Sequence, residues 1–583
     1  MPHICTPLHT CILCQEDQTK DDSTMVFATY VINTTVLSQV HPIDPDLSNK
    51  FVSNGMLPRN LLCGPVVTSC GHVMHAKCYQ TMFDNLVKQH REEALTRANY
   101  NVNHHEYLCP ICQRLSNTVL PLSPPISSLW LDGPANSKMT FAQWVNEMEV
   151  LALRDITAKP RKRIVDISEE MMNFFIDNHK PLPDMTRNPG SGSDANKDLY
   201  EMTTNFTYNC FMKATHDLPS GDDNKCLNVS FQAAALTLQL SQAQDNHPNA
   251  GLVHPILQRD SAVLQSLVRL SINASYNRRL ALDHIQSNGL FNLAMCFNPN
   301  LLKLNPSFLQ VDMINFMMML TASMPLLIPE STIGTPSILM THCKKNLGKK
   351  VVKFCLLSSY AVQNSFQFDE IFSIFFFHFF YFAGSADHHV VKFCAILYLI
   401  QTLAYLESED TEDNDNDEEE ADVQRMASWI SQIVGRSDTI SKKAKGVRKA
   451  LLRFLRCSAL FFHFITDIPL PSSDDIECDD RVYYTVLSEY LSLPPTLKQL
   501  INDKDTFSLA QRLLGEEKVS AVINQEMPPK MRSLVTLPED YTDLLNKVTT
   551  YECPNATASS SSKSKSVAMC LICGALVCFE VSS

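Results

Sequence analysis

Cysteine and histidine residues within the first 112 positions have the types and spacing of metal ligands. They form four pairs, and one or two residues separate the members of each pair: Cys11 and Cys14, Cys70 and His72, His75 and Cys78, Cys109 and Cys112. Short spacing lets paired ligands turn onto one ion, and four ligands close a tetrahedron around Zn²⁺ with no position left for water. The predicted chemistry is structural zinc binding.

The order of these ligands, with two histidines at the centre, resembles a RING domain of the two-histidine type. The resemblance implies a cross-braced topology, in which the first and third pairs share one Zn²⁺ and the second and fourth pairs share another. One site would contain Cys11, Cys14, His75 and Cys78, and the other Cys70, His72, Cys109 and Cys112. Because such sites contribute folding energy directly, loss of one ligand should unfold the module.

The sequence around the ligands resembles the UBR family of N-end-rule ubiquitin-protein ligases, the N-recognins. The segments that carry this resemblance are CILCQEDQ, SCGHVMHAKCYQ and EYLCPICQRLSNTVLPL. Later segments resemble that family's C-terminal cap: LVTLPEDYTDLLNKV at 534–548, ECPN at 552–555 and MCLICGALVC at 569–578. The family's substrate-binding modules lie ahead of the RING, whereas Cys11 is close to the first residue here. The resemblance implies a C-terminal portion of such a ligase, with N-degron substrates bound through modules absent from this chain.

By the same resemblance, the chain would bind a ubiquitin-conjugating enzyme that carries ubiquitin as a thioester. It would orient the thioester for attack by a substrate lysine, with no catalytic residue or covalent ubiquitin intermediate of its own, and mark substrates for the proteasome. The apolar residues expected to contact the conjugating enzyme are Ile12, Leu13, Pro110, Ile111 and Tyr79, with Phe83 as an alternative to Tyr79.

Many RINGs carry an arginine directly after the eighth ligand, where it holds ubiquitin. Here that position is Gln113, and Arg114 follows it, so these two residues are the candidate ubiquitin contacts. The absence of arginine at that position also favours an alternative function, a catalytically silent scaffold that keeps the zinc-stapled fold for protein binding.

Further cysteines could add a zinc site at the C-terminal end. Cys553, Cys570, Cys573 and Cys578 are enough for one tetrahedral site, although the family's cluster continues into further ligands. Near the RING pairs, Cys63, His104 and His105 fit either a third ion or a packed thiol with exposed imidazoles.

Composition indicates a mainly α protein. Glycine accounts for only 16 of 583 residues, which disfavours a turn-dense β fold, and 45% apolar residues supply large cores. We expect a two-zinc cross-braced RING-type finger at the N-terminus, a large α-helical body and a partial zinc-binding cap at the C-terminus. The expected boundaries are a finger with a long internal loop at 1–122, a linker with some helix at 123–226, a helical domain at 227–406 that continues at 423–552, an acidic disordered loop at 407–422, and a truncated cysteine-rich cap at 553–583.

Charge and hydropathy exclude several partner classes. The formal net charge is −13, and 11 acidic residues lie between Glu407 and Asp422, which is a poor match for a phosphate backbone. The basic cluster 159–163 is the sole support for nucleic-acid binding, and nuclear import explains it as well. The apolar runs at 371–383 and 390–406 are shorter than the roughly 20 residues that span a bilayer. We expect no nucleic acid, no membrane span and a location in the cytoplasm, with the nucleus as a second compartment.

Overall fold

A computed structural model describes the parts of the chain that carry most of the predicted elements. The described residues are 9–17, 24–34, 64–93, 100–123, 140–158, 229–242, 258–276, 308–327, 386–405, 419–434, 443–466, 468–471, 479–514, 566–569 and 576–579, with isolated positions within 202–210, 293–297 and 540–546.

A three-stranded antiparallel sheet forms the frame of the N-terminal module. Strand β1 (Met25–Thr34) pairs with β2 (Gly64–His75) on one edge and with β5 (Thr118–Pro121) on the other. Many residues of β1 and β2 are β-branched or aromatic, which favours strands. The buried side chains of this sheet belong to the same hydrophobic core as the helices.

The remaining elements of the module include one α-helix and a short hairpin. Helix α1 (Ala76–Glu93) begins directly after β2, and a two-stranded hairpin joins β3 (Tyr107–Leu108) to β4 (Leu115–Ser116). Because α1 continues the chain without a linker, the last residues of β2 and the first turn of α1 are held in one rigid arrangement.

The described part of the body is mainly helical, as the composition predicted. Its helices are α2 (Phe141–Ala158), α3 (Val229–Ser241), α4 (Gln258–Tyr276), α5 (Met313–Leu327), α6 (Ala386–Tyr405), α7 (Glu420–Val434), α8 (Ala444–Thr466), α9 (Asp480–Tyr490), α10 (Leu497–Asn502) and α11 (Lys504–Leu514).

Helix α6 lies at the centre of this body, where it packs against α5, α7, α8 and α11. Its sequence is apolar on nearly every side, which is typical of a helix surrounded by others. The one lysine in its apolar run, Lys392, forms ion pairs of 2.7 Å with Asp503 and with Asp505 and lies over the ring of Phe141. Within the described residues, no helix combines the length and apolarity of a membrane crossing. The run at 371–383 lies outside them.

The sheet and the helical body are joined through buried polar contacts as well as apolar packing. The backbone N–H of Val67 in β2 donates to Thr237 Oγ1 of α3 at 3.0 Å. On the other edge of the sheet, Asn209 Nδ2 donates to Thr118 Oγ1 at 3.0 Å. Helix α4 packs against both β2 and β5. The N-terminal module is therefore built into the body, because its own sheet is one wall of the helical core.

The acidic tract differs from the prediction at its C-terminal end. A disordered loop was expected over the whole of 407–422, but α7 begins at Glu420, so the last residues of the tract are helical. The preceding residues, 407–418, lie outside the described part of the chain.

Helix N-termini explain why the end of the tract is ordered. Glu419 Oε1 accepts from the N–H of Lys498, and its Oε2 lies 2.5 Å from Arg448. Glu420 Oε2 accepts from the N–H of Ala444 at 2.7 Å. Carboxylates are favoured where free N–H groups and the positive end of a helix dipole meet. The two glutamates therefore connect α7 to α8 and α10, a role that composition alone does not reveal.

A separate hairpin stands in the C-terminal cysteine-rich segment. Strand β6 (Ser566–Met569) pairs antiparallel with β7 (Leu576–Phe579). The expected boundaries of the remaining linkers and domains stay predictions, since much of 123–226 and 515–565 lies outside the described residues.

Candidate metal centres

Two groups of four side chains each bring their ligand atoms together in the described residues. The first group contains Cys11, Cys14, His75 and Cys78, and the second contains Cys70, His72, Cys109 and Cys112. Within each group all ligand atoms lie within 4.8 Å of one another. These are the two sets that the cross-braced arrangement required, with the first and third pairs in one group and the second and fourth in the other.

Strand β2 carries ligands of both groups. Cys70 and His72 are two residues apart in the strand and belong to the second group. His75 ends the same strand, and Cys78 lies one turn later in α1, so both reach the first group. Strand β2 therefore links the two centres.

The first centre is completed by a tight turn ahead of β1. The N–H of Gln15 donates to the carbonyl of Cys11, and the N–H of Cys11 donates to the carbonyl of Glu16, both at 2.9 Å. Gln15 has a φ of 62°, in the left-handed region that favours glycine. The N–H groups of Leu13 and His75 both point at Cys11 Sγ, at 3.4 and 3.3 Å. Such N–H donors stabilise a thiolate ligand.

The second centre is completed by a turn of the same kind between β3 and β4. The N–H of Gln113 donates to the carbonyl of Cys109, and the N–H of Cys109 donates to the carbonyl of Arg114, both at 2.9 Å. Gln113 has a φ of 59°, matching the residue that follows the first pair. The two cysteine pairs thus adopt one local geometry at two separate places in the chain.

Both histidines present Nδ1 to the sulfur atoms. His75 Nδ1 lies 3.3 Å from Cys14 Sγ, and His72 Nδ1 lies 3.3 Å from Cys70 Sγ and 3.5 Å from Cys109 Sγ. A ligand imidazole uses one ring nitrogen, so Nδ1 would be the metal ligand in both centres and Nε2 would carry the proton.

The protonation of the sulfur atoms is governed by burial and by crowding. Burial raises the pKa of Cys70 to about 12, with a further increase from the neighbouring Cys109, and burial together with Cys11 raises the pKa of Cys78 to about 12. At Cys11 burial acts in the same direction, but hydrogen bonds, led by that of the Cys14 backbone, lower its pKa to about 7. Ionisation of Cys70 and Cys78 is therefore unfavourable without a cation. A divalent ion would displace their protons and remove the repulsion.

The donor sets fit Zn²⁺. Three sulfur atoms and one imidazole nitrogen suit this ion, and four protein ligands leave no open position for a reacting water. Zinc at these centres would supply structure, by holding distant segments together.

The residues predicted to contact a conjugating enzyme are not equally available. Ile111 is 58% exposed on the second turn, whereas Ile12 and Leu13 are partly buried against the core. Pro110 is also partly exposed. Tyr79 is only 5% exposed, so its inclusion in a docking surface is incorrect.

Aromatic packing accounts for the burial of Tyr79. Its ring lies 5.9 Å from that of Phe83 and 5.5 Å from that of Tyr107. Phe83 is also buried, and it stacks on His105 at 5.5 Å. Both aromatic residues that follow Cys78 therefore belong to the core of the module, because α1 turns that face toward β3.

The two candidate ubiquitin contacts also differ. Gln113 is exposed, and its backbone conformation is set by the turn. Arg114 is exposed as well, but its Nη1 donates to the carbonyl of Ser69 at 2.9 Å, so this part of its guanidinium is bonded within the module.

The other predicted metal ligands belong to neither of the two described metal groups. Among the residues that the structure describes, His104 and His105 join no metal group, and Cys63 lies outside that part of the chain. Cys553, Cys570 and Cys573 also lie outside it, and Cys578 is placed only as a residue of β7. Zinc at the C-terminal end stays a prediction.

The sequence analysis missed two residues, Ser69 and Asn117, that hold the segments carrying the candidate metal ligands. Ser69 precedes Cys70, and its hydroxyl accepts from the N–H of Gly71, a local bond that a serine two residues before a glycine could have suggested. Asn117 is buried, and its amide both accepts from the N–H of Val31 and donates to its carbonyl. No sequence signal identifies that second contact, because it joins residues 86 positions apart.

Comparison with known proteins supports the same family as the motifs. The profile of the Proteolysis_6 C-terminal family matches residues 216–582. The chain is 28% identical over 98% of its length to the mouse protein named E3 ubiquitin-protein ligase UBR2 and 24% identical over 98% to human E3 ubiquitin-protein ligase UBR1. It is 22% identical over 88% of its length to the Drosophila melanogaster protein of the latter name.

These relatives are much longer than the chain. It spans 31% of the mouse and human proteins and 30% of the fly protein. No solved structure shows significant similarity to it. Since the family profile covers more than half of the chain, the resemblance found in the motifs is confirmed: the chain belongs to the Proteolysis_6 C-terminal family and corresponds to the C-terminal portion of a UBR-family protein.

Proposed function

We propose that this chain is the RING-type ubiquitin-transferring part of an N-end-rule ubiquitin-protein ligase. The observation that carries the proposal is the pair of interleaved Cys₃His groups, which share strand β2 and present an exposed isoleucine, Ile111, on the turn of the second group. The similar mouse and human proteins are named E3 ubiquitin-protein ligases, which agrees with this reading.

The chain's contribution to transfer would be orientation. A ubiquitin-conjugating enzyme already carries an activated thioester, so the ligase needs only to hold enzyme and ubiquitin in a geometry that a lysine can attack. Restricting freedom in this way can accelerate a reaction strongly without any covalent step by the ligase. Zinc bound by the two centres would keep the docking turns rigid, which lowers the entropic cost of forming the complex.

The proposed docking surface consists of Ile12, Leu13, Pro110 and Ile111, with Ile111 as its most exposed member. These residues lie on the two turns that carry the first and last cysteine pairs. A few apolar side chains at the centre of a small interface commonly supply most of its binding energy.

Substrate selection would depend on N-degron-binding modules that the family carries outside the region represented here. The chain spans 31% of the length of its mouse relative, so the activity of a complete ligase is proposed for it. The proposed partners are ubiquitin and its conjugating enzyme, and the proposed outcome is degradation by the proteasome.

The test is discharge of ubiquitin from a charged conjugating enzyme to free lysine in a single turnover. Ile111→Ala should reduce the discharge rate at least tenfold while the zinc content stays unchanged, because the side chain is exposed and ligates nothing. Val150→Ala is a matched control, since Val150 is 56% exposed but lies on α2 in the body. Equal rates for the two variants would contradict the docking surface, and an inactive wild-type protein would contradict the proposed function.

The alternative is a silent scaffold, and a specific observation favours it. The position directly after the eighth ligand holds Gln113 instead of arginine, and the neighbouring Arg114 is bonded to Ser69. A scaffold would bind the charged conjugating enzyme without accelerating discharge. Measuring binding and discharge on the same preparation separates the two functions.

A further inference from the structure

Strand β2 departs from regular pairing where it carries the ligands of the second centre. Thr29 pairs with Ser69 and Phe27 pairs with Val73, so a single residue of β1, Ala28, faces three residues of β2. Two of those three are the ligands Cys70 and His72, and the residue between them is glycine with a φ of 77°. Bulges of this type redirect side chains at functional sites, but they leave ladder groups without their usual partners.

The side chain of Ser69 supplies the missing partners. Its hydroxyl donates to the carbonyl of Ala28 at 2.7 Å and accepts from the N–H of Gly71 at 3.0 Å. Ser69 and Ala28 are buried, so without this hydroxyl the carbonyl of Ala28 would lose a partner that water cannot readily replace, whereas Gly71 is half-buried. The hydroxyl therefore holds the bulge in the conformation that presents Cys70 and His72 together.

The backbone of the same residue connects the bulge to the second turn. Arg114 Nη1 donates to the carbonyl of Ser69 at 2.9 Å. The carbonyl of Arg114 itself accepts from the N–H of Cys109. Through one residue the turn that carries Cys109 and Cys112 is thus tied to the strand segment that carries the other two ligands.

We propose that Ser69 and Arg114 form a brace that positions the four ligands of the second metal centre, and that Arg114 acts in this brace and not as a ubiquitin contact. Neither residue is a metal ligand. Outer residues that orient ligands commonly change metal affinity 10–100-fold when they are removed. We expect the brace to act on the second centre, because Gly71 lies between two of its ligands and Arg114 belongs to the turn that carries the other two.

Zinc release from the loaded full chain tests the brace. The chromogenic chelator 4-(2-pyridylazo)resorcinol would report the release rate of each equivalent of zinc. Arg114→Ala should accelerate one equivalent about tenfold or more and leave another at the wild-type rate. Gln113→Ala is the matched control, since it changes the adjacent exposed side chain and should leave both rates unchanged. Arg114→Lys should give an intermediate rate, because an ammonium can still donate to the carbonyl of Ser69.

A spectroscopic measurement separates ligand positioning from a general loss of stability. In protein loaded with ¹¹³Cd, Arg114→Ala and Ser69→Ala should each shift the resonance of one Cys₃His centre and leave that of the other in place. If Arg114→Ala prevents folding, the Arg114→Lys spectrum and release rate decide the question. Unchanged resonances and release rates would overturn the brace.

Failure of the brace can be distinguished from failure of the proposed function. Only the effect of the brace on ubiquitin transfer rests on that function. Arg114→Ala with wild-type zinc release but without ubiquitin discharge would show that Arg114 contacts ubiquitin, which overturns the proposal. A wild-type protein that fails to discharge ubiquitin would refute the transfer function, yet the zinc measurements would still decide the brace.

Discussion

The N-terminal module and the helical body share one hydrophobic core, but within the described residues only the module contains groups of candidate metal ligands. The module consists of a three-stranded sheet, helix α1, a short hairpin and two turns whose residues Gln15 and Gln113 have positive φ. Zinc bound by the eight candidate ligands would join these elements. The body consists of helices such as α6, which are surrounded by apolar side chains on nearly all sides. Metal ligation concentrates stability in a few bonds, whereas apolar packing spreads it over many contacts. A single substitution should therefore have very different effects in the two regions.

The largest expected effect is loss of a ligand in the module. Cys70→Ser should remove Zn²⁺ from the second centre and unfold the module, because each structural zinc site contributes on the order of 10 kcal/mol to folding. Zinc content by mass spectrometry and hydrogen exchange in β1 and β2 measure this. Cys394→Ala is the matched control, since Cys394 is a buried cysteine of α6 that belongs to neither metal group. A Cys70→Ser protein with full zinc content would contradict the ligand assignment.

An intermediate effect is expected from a large truncation in the body. Phe393 is fully buried, with its ring 5.7 Å from Trp144 and 6.0 Å from Phe297. Phe393→Ala should lower the free energy of unfolding by about 3–5 kcal/mol, because it removes apolar contacts and leaves a cavity. Denaturant unfolding measures the change, and zinc content should stay at the wild-type value.

Phe507→Ala is the control for Phe393→Ala, with the free energy of unfolding as the quantity compared. Phe507 is 47% exposed, so its removal should cost much less than that of Phe393. If Phe393→Ala released zinc as readily as a ligand substitution does, the contrast between the two regions would be wrong.

The smallest expected effect concerns the hydrogen bond between Val67 of the module and Thr237 of the body. Thr237→Val removes the oxygen that accepts from the N–H of Val67 and leaves that buried group without a partner, which costs about 1–3 kcal/mol. The loss should appear as faster hydrogen exchange in β2 and α3 together. Thr321→Val is the matched control, because the buried hydroxyl of Thr321 donates only to the carbonyl of Met317 in its own helix. Equal effects of the two substitutions would show that the bond between Val67 and Thr237 does not couple β2 to α3.

The expected partition of the cysteines and histidines into two groups agrees with the geometry, and it depended on resemblance as well as spacing. Spacing alone indicates which residues form pairs, because nearby ligands must turn onto one ion. It does not say which pairs share an ion, since that depends on how β2 passes between the two turns. The RING-like order of the ligands supplied that information.

The expectation for Tyr79 failed for a related reason. Its position directly after Cys78 suggested a docking residue, but a helix presents successive residues on different faces. The direction of α1 relative to β3 turned Tyr79 and Phe83 inward, where they pack near Tyr107. Burial of an aromatic side chain at the start of a helix depends on the neighbouring elements, which local sequence does not define.

By itself the sequence determined the mainly helical character of the body, the ligand types and the family, because composition, periodicity and local spacing act over short stretches of chain. Only the tertiary structure decided that Ser69 and Arg114 meet, that Glu419 and Glu420 connect three helices, and that the sheet forms a wall of the helical core. Each of those contacts joins residues far apart in the chain. Their formation depends on the path of the whole backbone, and no local pattern of residue types encodes that path.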